Sequence, residues 1–405
     1  MNKERTKMLI VQKYGGSSVA NAERIFNVAS RIAETYDKGH NVIVILSAQG
    51  DTTDDLIEKA NEINPNASRR EMDMLLSTGE QQSVALMAMA LNKMGYNAVS
   101  LNAFQVGIET TPAHSVAKIR KISDYRIKKE LEKKNIVLVT GFQGYNEFND
   151  VTTLGRGGSD TSAVAVAAAL KADLCEIYTD VDGVYTCDPR IVPDAKKMTE
   201  ISFDEMSELA SLGAKVLHTR SVEVAQKFGV NLVVRSSLTR EEGTIVKEGN
   251  KMESVPVRGI ASDKEIAKVT VKTIKDTADK TFKLFSVLEK ASVSVDMISQ
   301  YPTTDGTYVI EFTIGQDDTA VAIESLNAAG YADVEAKKGF AKVSIVGAGM
   351  ATHPGVACSM FEALADVNVD VDLISTSEIS ISALVPEESV KTALIALHYK
   401  FQLSK

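Results

Sequence analysis

Over the first 245 residues, short apolar runs alternate with longer stretches in which apolar residues recur at spacings of three and four. Met8 to Val11 predicts a strand. The set Val19, Ala22, Ile25, Phe26, Ala29, Ile32, Ala33 and Tyr36 then marks one face of a helix. Val42 to Leu46 is apolar on both faces, as parallel strands covered by helices are. Ile136 to Val139, Leu174 to Thr179 and Asn231 to Val234 have the same character, with helical patterns at Gln82 to Met94 and Thr161 to Leu170. Strand alternating with helix predicts an α/β fold, an αβα sandwich on a mainly parallel sheet, with ligands at the carboxyl ends of its strands.

The polar stretch Lys247 to Ser254 reads as a linker, and the pattern changes after it. Ala267 to Val271 matches Ala341 to Ile345 at an offset of 74. Phe285, Leu288, Val293, Val295, Asp296, Ile298 and Ser299 recur at an offset of 76 as Phe361, Leu364, Val369, Val371, Asp372, Ile374 and Ser375. Each copy predicts strand, helix, two strands (Thr307 to Ile314; Glu378 to Leu384), helix (Ala320 to Ala329; Glu387 to Leu397) and a final strand. That is the ferredoxin-like βαββαβ order. The expected domains are residues 1–250, 265–338 and 341–405.

Charge and composition narrow the function. With 45 basic and 54 acidic residues the net charge is −9, which disfavours nucleic acid and anionic membranes as partners. Three scattered cysteines form neither a disulfide framework nor a metal-binding pair. The first residues are too polar for a signal peptide and no apolar run is long enough to span a membrane, so a cytoplasmic protein is expected.

Two glycine-rich loops carry the candidate chemistry. Lys13-Tyr14-Gly15-Gly16-Ser17-Ser18 joins the first strand to the first helix, where glycines admit a phosphate to the backbone. An ordinary turn capped by Ser17 or Ser18 would also explain it. Gly155 to Ser162, with Arg156, opens an alanine-rich helix and offers a nest of donors to anionic oxygens. Tyr178 to Arg190 departs from the calcium-loop spacing and reads better as a nucleotide-contacting loop. Glu80 sits in a first helical turn, where a carboxylate is favourable in any case. Val346 to Met350 imitates a dinucleotide fingerprint, but its third glycine position is Thr352. The five histidines form no spaced pair and no metal site is expected.

Together and in this order, Lys13 to Val19, Ser47 to Asp55, Gly79-Glu80, Phe142-Gln143-Gly144, Thr152 to Ser162, Tyr178 to Arg190 and Gly213 to His218 resemble the aspartate kinases of the amino-acid kinase family. The repeats look like tandem ACT domains. The resemblance implies transfer of the γ-phosphoryl group of ATP, carried with Mg²⁺, to the β-carboxylate of L-aspartate, as the first step toward lysine, threonine, methionine and diaminopimelate. It also implies roles for residues. Lys13 would bridge the transferring phosphoryl group, Asp160 would orient Lys13, and Arg156 would hold a substrate carboxylate. Glu80 would take the substrate ammonium, with Ser47, Asp51, Thr52, Thr53, Asp54, Asp55, Gly157, Gly158 and Ser159 completing that pocket. Tyr14, Gly15, Gly16, Thr179, Asp180, Tyr185, Asp188, Pro189, Arg190 and Lys215 would line the ATP site.

An amino-acid effector, lysine or threonine or both, is expected where the repeats pack, together with homo-oligomerisation through them. Its expected contacts are Val293, Ser294, Val295, Asp296 and Ser299 in one copy. In the other they are Val356, Ala357, Asp370, Val371, Ser377 and Glu378. A kinase of another small amino-acid carboxylate, and an amino-acid-binding regulator with a dead kinase half, are the alternatives.

Overall fold

The computed structural model describes residues 7–214, 216–249, 256–274, 277–304, 306–331, 333–350 and 353–404. Lys215, Thr352 and the end of the linker lie outside them. The chain forms two compact units. One holds Met1–Val184, Lys197–Ala210 and Lys215–Asn250, the other Tyr185–Lys196, Ser211–Ala214 and Lys251–Lys405.

The first unit is built on an eight-stranded sheet. Its order is Glu200–Ser202, Thr244–Lys247, Leu232–Ser236, Leu174–Thr179, Leu9–Tyr14, Asn41–Leu46, Ile136–Thr140 and Ala98–Leu101. Only the pairing of Leu232–Ser236 with Thr244–Lys247 is antiparallel. Every residue from Val42 to Leu46 and from Ile136 to Val139 is fully buried, which explains why those runs are apolar on both faces. Helices Ala22–Asp37 and Thr78–Lys93 pack on Tyr14, Val44, Leu46 and Leu138. Helix Gly158–Leu170 packs on the strands Leu9–Tyr14, Asn41–Leu46 and Leu174–Thr179, where its alanines allow close approach. Side chains alternate along a strand, so Tyr14 points to the first helix pair and Lys13 to the alanine-rich helix.

The sequence pattern missed a second, four-stranded sheet: Ile119–Ile122, Ile108–Thr110, Gln143–Tyr145 and Val151–Thr153. Strands of three or four residues carry too little periodicity to read. Asp73, fully buried, secures this region by accepting from the backbone N–H groups of Ser115 and Thr153 and from the Thr153 hydroxyl.

In the second unit the repeats share one antiparallel six-stranded sheet, ordered Ile298–Pro302, Tyr308–Gly315, Gly259–Ile274, Val334–Val346, Ser380–Pro386, Leu373–Thr376. The expected final strand of the second copy is not found: among the described residues no strand follows helix Val390–Lys400. Its place is filled from the other end of the unit. Gly259 to Asp263 pair with Lys342 to Val346, and Ile260 lies in the same core as Val343, Ile381 and Leu394. Val334–Val346 is likewise one strand serving as the end of the first copy and the start of the second.

Candidate active site

Lys13 lies one residue from the carboxyl end of the central strand, in register with Ile45 and Ile177 on its two neighbours. Its Nζ is 2.6 Å from Oδ1 of Asp160, in the first turn of Gly158–Leu170, and both side chains are only 12% exposed. Lys13 is therefore a strand residue shielded from solvent and not an exposed loop lysine. The ammonium is held nearly out of solvent by one carboxylate, which leaves it fixed in direction and able to meet an anionic oxygen.

The glycine loop differs from the expected helix start. Gly16–Val19 is a single 3₁₀ turn, and the helix proper begins at Ala22 under the side chain of Asn21, which accepts from the Arg24 N–H. Neither Ser17 nor Ser18 caps it; the Ser18 hydroxyl donates to that of Ser237. Glycine is required at position 16, where a Cβ would stand 2.7 Å from the Ala48 carbonyl oxygen; a Cβ on Gly15 would make only an ordinary contact, 3.6 Å from Lys13 Nζ. The Gly50 N–H donates to the Gly16 carbonyl at 3.0 Å and the Ser47 N–H to that of Tyr14 at 3.2 Å, tying the loops after the first two strands together.

Glu80 enters the same cluster from the start of Thr78–Lys93. It is 3% exposed, and its Oε1 accepts from the Ala48 N–H at 3.1 Å. Oε2 is buried without a partner, and burial pushes the carboxyl pKa up to about 7. A buried carboxylate oxygen with no donor is costly unless a ligand supplies one. Gly79 packs its Cα against Ala48 and Thr52. Ser159 is brought in from the other side, since a Cβ on Gly141 would stand 2.6 Å from its Oγ. Ser47, Thr52 and Thr53 are half-buried, whereas Asp51, Asp54 and Asp55 are exposed in and before the first turn of Thr52–Ile63. Arg156 is exposed on the loop before Gly158. Gly157, at φ +67°, lies directly on the ring of His218, a contact the sequence did not suggest.

On the other flank, the Gly15 N–H donates to the Tyr178 carbonyl and the Ser237 N–H to that of Thr179, whose hydroxyl bonds Asp180. Tyr14 was expected at the nucleotide, but its side chain is wholly buried and stacked on Tyr178 with centroids 4.6 Å apart. Only its backbone is left for a ligand. Beneath the stack, Glu176 accepts from Gln12 and the Tyr178 hydroxyl and forms an ion pair with Arg235 at 3.3 Å, a network that periodicity does not register. Tyr185, Asp188, Pro189 and Arg190 fall in the segment Tyr185–Lys196, which belongs to the second unit. There Cys187 and Val192 join the core of the second repeat, and Asp188 pairs with Arg190 at 2.7 Å.

Among the expected effector residues, Ser294 and Val295 of the first repeat correspond to Asp370 and Val371 of the second. Val293 and Val356 are buried, Val295, Ser299 and Val371 half-buried, and Ser294, Ala357, Asp370, Ser377 and Glu378 exposed. Val293 to Asp296 and Asp370-Val371 are not strand ends; they are irregular chain leading into Ile298–Pro302 and Leu373–Thr376. Asp296 is already engaged, by the buried ammonium of Lys342 in the other repeat. The counterpart pair is Lys268, which meets Asp372 at 2.5 Å and Glu311 at 3.4 Å.

The sequence profile of the amino acid kinase family matches residues 8–236, and that of the ACT domain residues 343–401. An aspartokinase of Bacillus sp. (strain MGA3) is 49% identical over 401 residues, covering 98% of both chains. An aspartokinase of Corynebacterium glutamicum is 50% identical over 407 residues, covering 98% of this chain and 96% of the relative. Among solved structures, E. coli aspartokinase III in complex with aspartate and ADP superposes with a TM-score of 0.81 at 25% identity, over 97% of this chain and 99% of that one. With this likeness running through kinase unit and repeats alike, the chain belongs to the amino acid kinase family, in its aspartokinase branch.

Proposed function

We propose that this chain transfers the γ-phosphoryl group of MgATP to the β-carboxylate of L-aspartate. A carboxylate oxygen attacks the γ-phosphorus, the bond to the β,γ-bridging oxygen breaks, and 4-phospho-L-aspartate and ADP leave. The observation that carries the reading is the pairing, in one cluster of strand-end loops, of the Lys13–Asp160 ion pair with the unpartnered Oε2 of Glu80. One presents a cation to a transferring phosphoryl group and the other an acceptor to an ammonium.

The nucleophile, with a free pKa of about 4, is ionised at neutral pH, so no general base is needed. The obstacle is repulsion between two anions, which positioned charge relieves. Lys13 supplies that charge and Asp160 fixes its direction. Glu80 takes the substrate ammonium and Arg156 the α-carboxylate, with Ser47, Thr53 and Ser159 closing the pocket. The amides of Gly15 and Gly16, with Thr179 and Asp180, serve the nucleotide, and Mg²⁺ arrives with ATP as substrate. Roles for Tyr185, Asp188, Pro189, Arg190 and Lys215 on the nucleotide rest on the family motif alone. Lysine or threonine, bound where the repeats meet, would act as feedback effector. The free thiols of Cys175, Cys187 and Cys358 fit a cytoplasmic setting.

The test is ADP release with aspartate, glutamate and N-acetylglutamate as acceptors. Turnover with aspartate alone supports the reading, and preference for either of the others replaces the substrate.

A further inference from the structure

A trough of about 660 Å³ opens in the first unit between the hairpin strand Ile119–Ile122 and the helices Gly158–Leu170 and Thr219–Phe228. Its size falls within the range that takes a small organic ligand. The lining is made of two chemically distinct parts. The floor is apolar: Ala165, Ala168 and Ala169 come from one face of the first helix and Val224 and Phe228 from one face of the second, and Phe228 is 61% exposed. The rim is cationic. Lys118, Arg120 and Lys121 stand exposed on the hairpin, and Lys227 faces them from the helix beside the Phe228 ring. Arg220, half-buried, donates to the Leu154 and Ala117 carbonyls with two of its five N–H groups. Against five cations the lining has a single carboxylate, Glu223. Lys121 has a distant counterion in Glu109, at 3.8 Å.

Such a concentration of positive charge is notable on a chain with net charge −9. A bare phosphate would leave the alanine and phenylalanine floor wet, and a neutral apolar molecule would leave the cations unused. We infer that this trough is a binding site for an amphiphilic organic anion, a compact aromatic or aliphatic body carrying one carboxylate, sulfonate or phosphate. The body would lie on the alanine face and Phe228, and the anionic head among Lys118, Arg120 and Lys227. None of these residues belongs to the phosphoryl-transfer site, although the floor is the helix whose first turn carries Asp160.

The probe is 1-anilinonaphthalene-8-sulfonate, titrated by fluorescence against the full chain. It should bind at one site per chain, more weakly as salt is raised because exposed charges are screened. Binding should weaken by about tenfold or more when Lys118→Glu and Arg120→Glu are combined, as expected for reversing two charges that face an anion. Ala168→Phe, which fills the floor and leaves the charges in place, should weaken it comparably. Decanoate should displace the probe and inorganic phosphate should not. Absence of binding, equal binding by wild type and both variants, or displacement by inorganic phosphate as complete as by decanoate would each overturn the inference.

Discussion

Lys13 and Asp160 meet at 2.6 Å across the end of a strand and the first turn of a helix, each only 12% exposed. Neither charge is properly solvated, so each depends on the other. Lys13→Ala should lower kcat by a factor of about 10²–10³, the loss of one preorganised contact worth ~3–4 kcal/mol. It should also destabilise the fold by about 3 kcal/mol, because Asp160 is left charged and unpaired. Pairing Lys13→Met with Asp160→Asn should recover most of the stability and none of the activity. Denaturant melts beside steady-state kinetics check this, and unimpaired kcat in Lys13→Ala would remove the lysine from the mechanism.

Glu80 links substrate binding to pH. Its carboxyl is raised from 4.5 to about 7 by burial, so the free protein favours the neutral form. The stability this contributes is complete below the unfolded value near 4.5 and is lost as pH rises through about 7. An ammonium needs the ionised form, so the aspartate KM should fall as pH rises through 7. Below that range, binding should release a proton, measurable by calorimetry in buffers of different ionisation enthalpy. Glu80→Gln should raise KM with a smaller effect on kcat and flatten the pH dependence. A wild-type KM in the variant would place the ammonium elsewhere.

Gly141 lies under Ser159 with no room for a methyl group. Gly141→Ala should push the start of helix Gly158–Leu170 outward and with it Asp160. The expected outcome is a large loss of kcat at a modest cost in thermal stability, with Gly315→Ala, at a glycine of ordinary backbone conformation (φ −59°) whose added Cβ would make only an ordinary 3.5 Å contact, as the control for a tolerated change. Activity equal to wild type would mean that the loop relaxes without disturbing the ion pair.

The two repeats exchange ion pairs reciprocally, Lys268 with Asp372 and Lys342 with Asp296. Burial pulls the Lys268 ammonium down, but Asp372 and Glu311 outweigh it and hold its pKa above the ordinary value. A double-mutant cycle of Lys268→Met and Asp372→Leu should show a coupling of about 0.5–3 kcal/mol. Asp296→Ala should weaken feedback inhibition while leaving uninhibited kcat nearly intact, and Ser377→Ala should do the same without freeing a buried lysine. Inhibition unchanged in both variants would take these residues out of the effector site. An enzyme insensitive to lysine, threonine and their mixture would leave the repeats to assembly.

The half-strand Gly259 to Asp263 makes truncation informative. A fragment beginning at residue 256 should fold more stably than one beginning at 264, because only the first retains the strand that pairs with Lys342 to Val346. Circular dichroism melts of the two would decide, and equal stability would show that the edge is dispensable.

Much of the architecture is written locally. Runs such as Val42 to Leu46 are apolar on both faces because helices cover both sides of a parallel sheet. The spacing of Ile25, Ala29, Ile32 and Ala33 marks one buried helix face, whereas Val19 falls in the turn before that helix and Ala22 and Phe26 are exposed. The 76-residue offset shows the duplication because each copy must bury the same side of the same elements. Local pattern also places Lys13, Glu80 and Asp160 at turns where chemistry gathers. What it does not carry is pairing between distant segments. That Lys13 is buried against Asp160, that Glu80 keeps one oxygen without a partner, and that Tyr14 turns its ring inward onto Tyr178 all depend on which strands become neighbours. The closing strand of the second repeat is the clearest case. Nothing in residues 259–263 marks them as its property, since hydrogen bonding to a sheet edge is a backbone affair that any β-competent segment can satisfy. Three-dimensional proximity assigned it, because Lys342 to Val346 needed a partner on the side away from Ser380–Pro386 and the chain preceding the first repeat lay beside it.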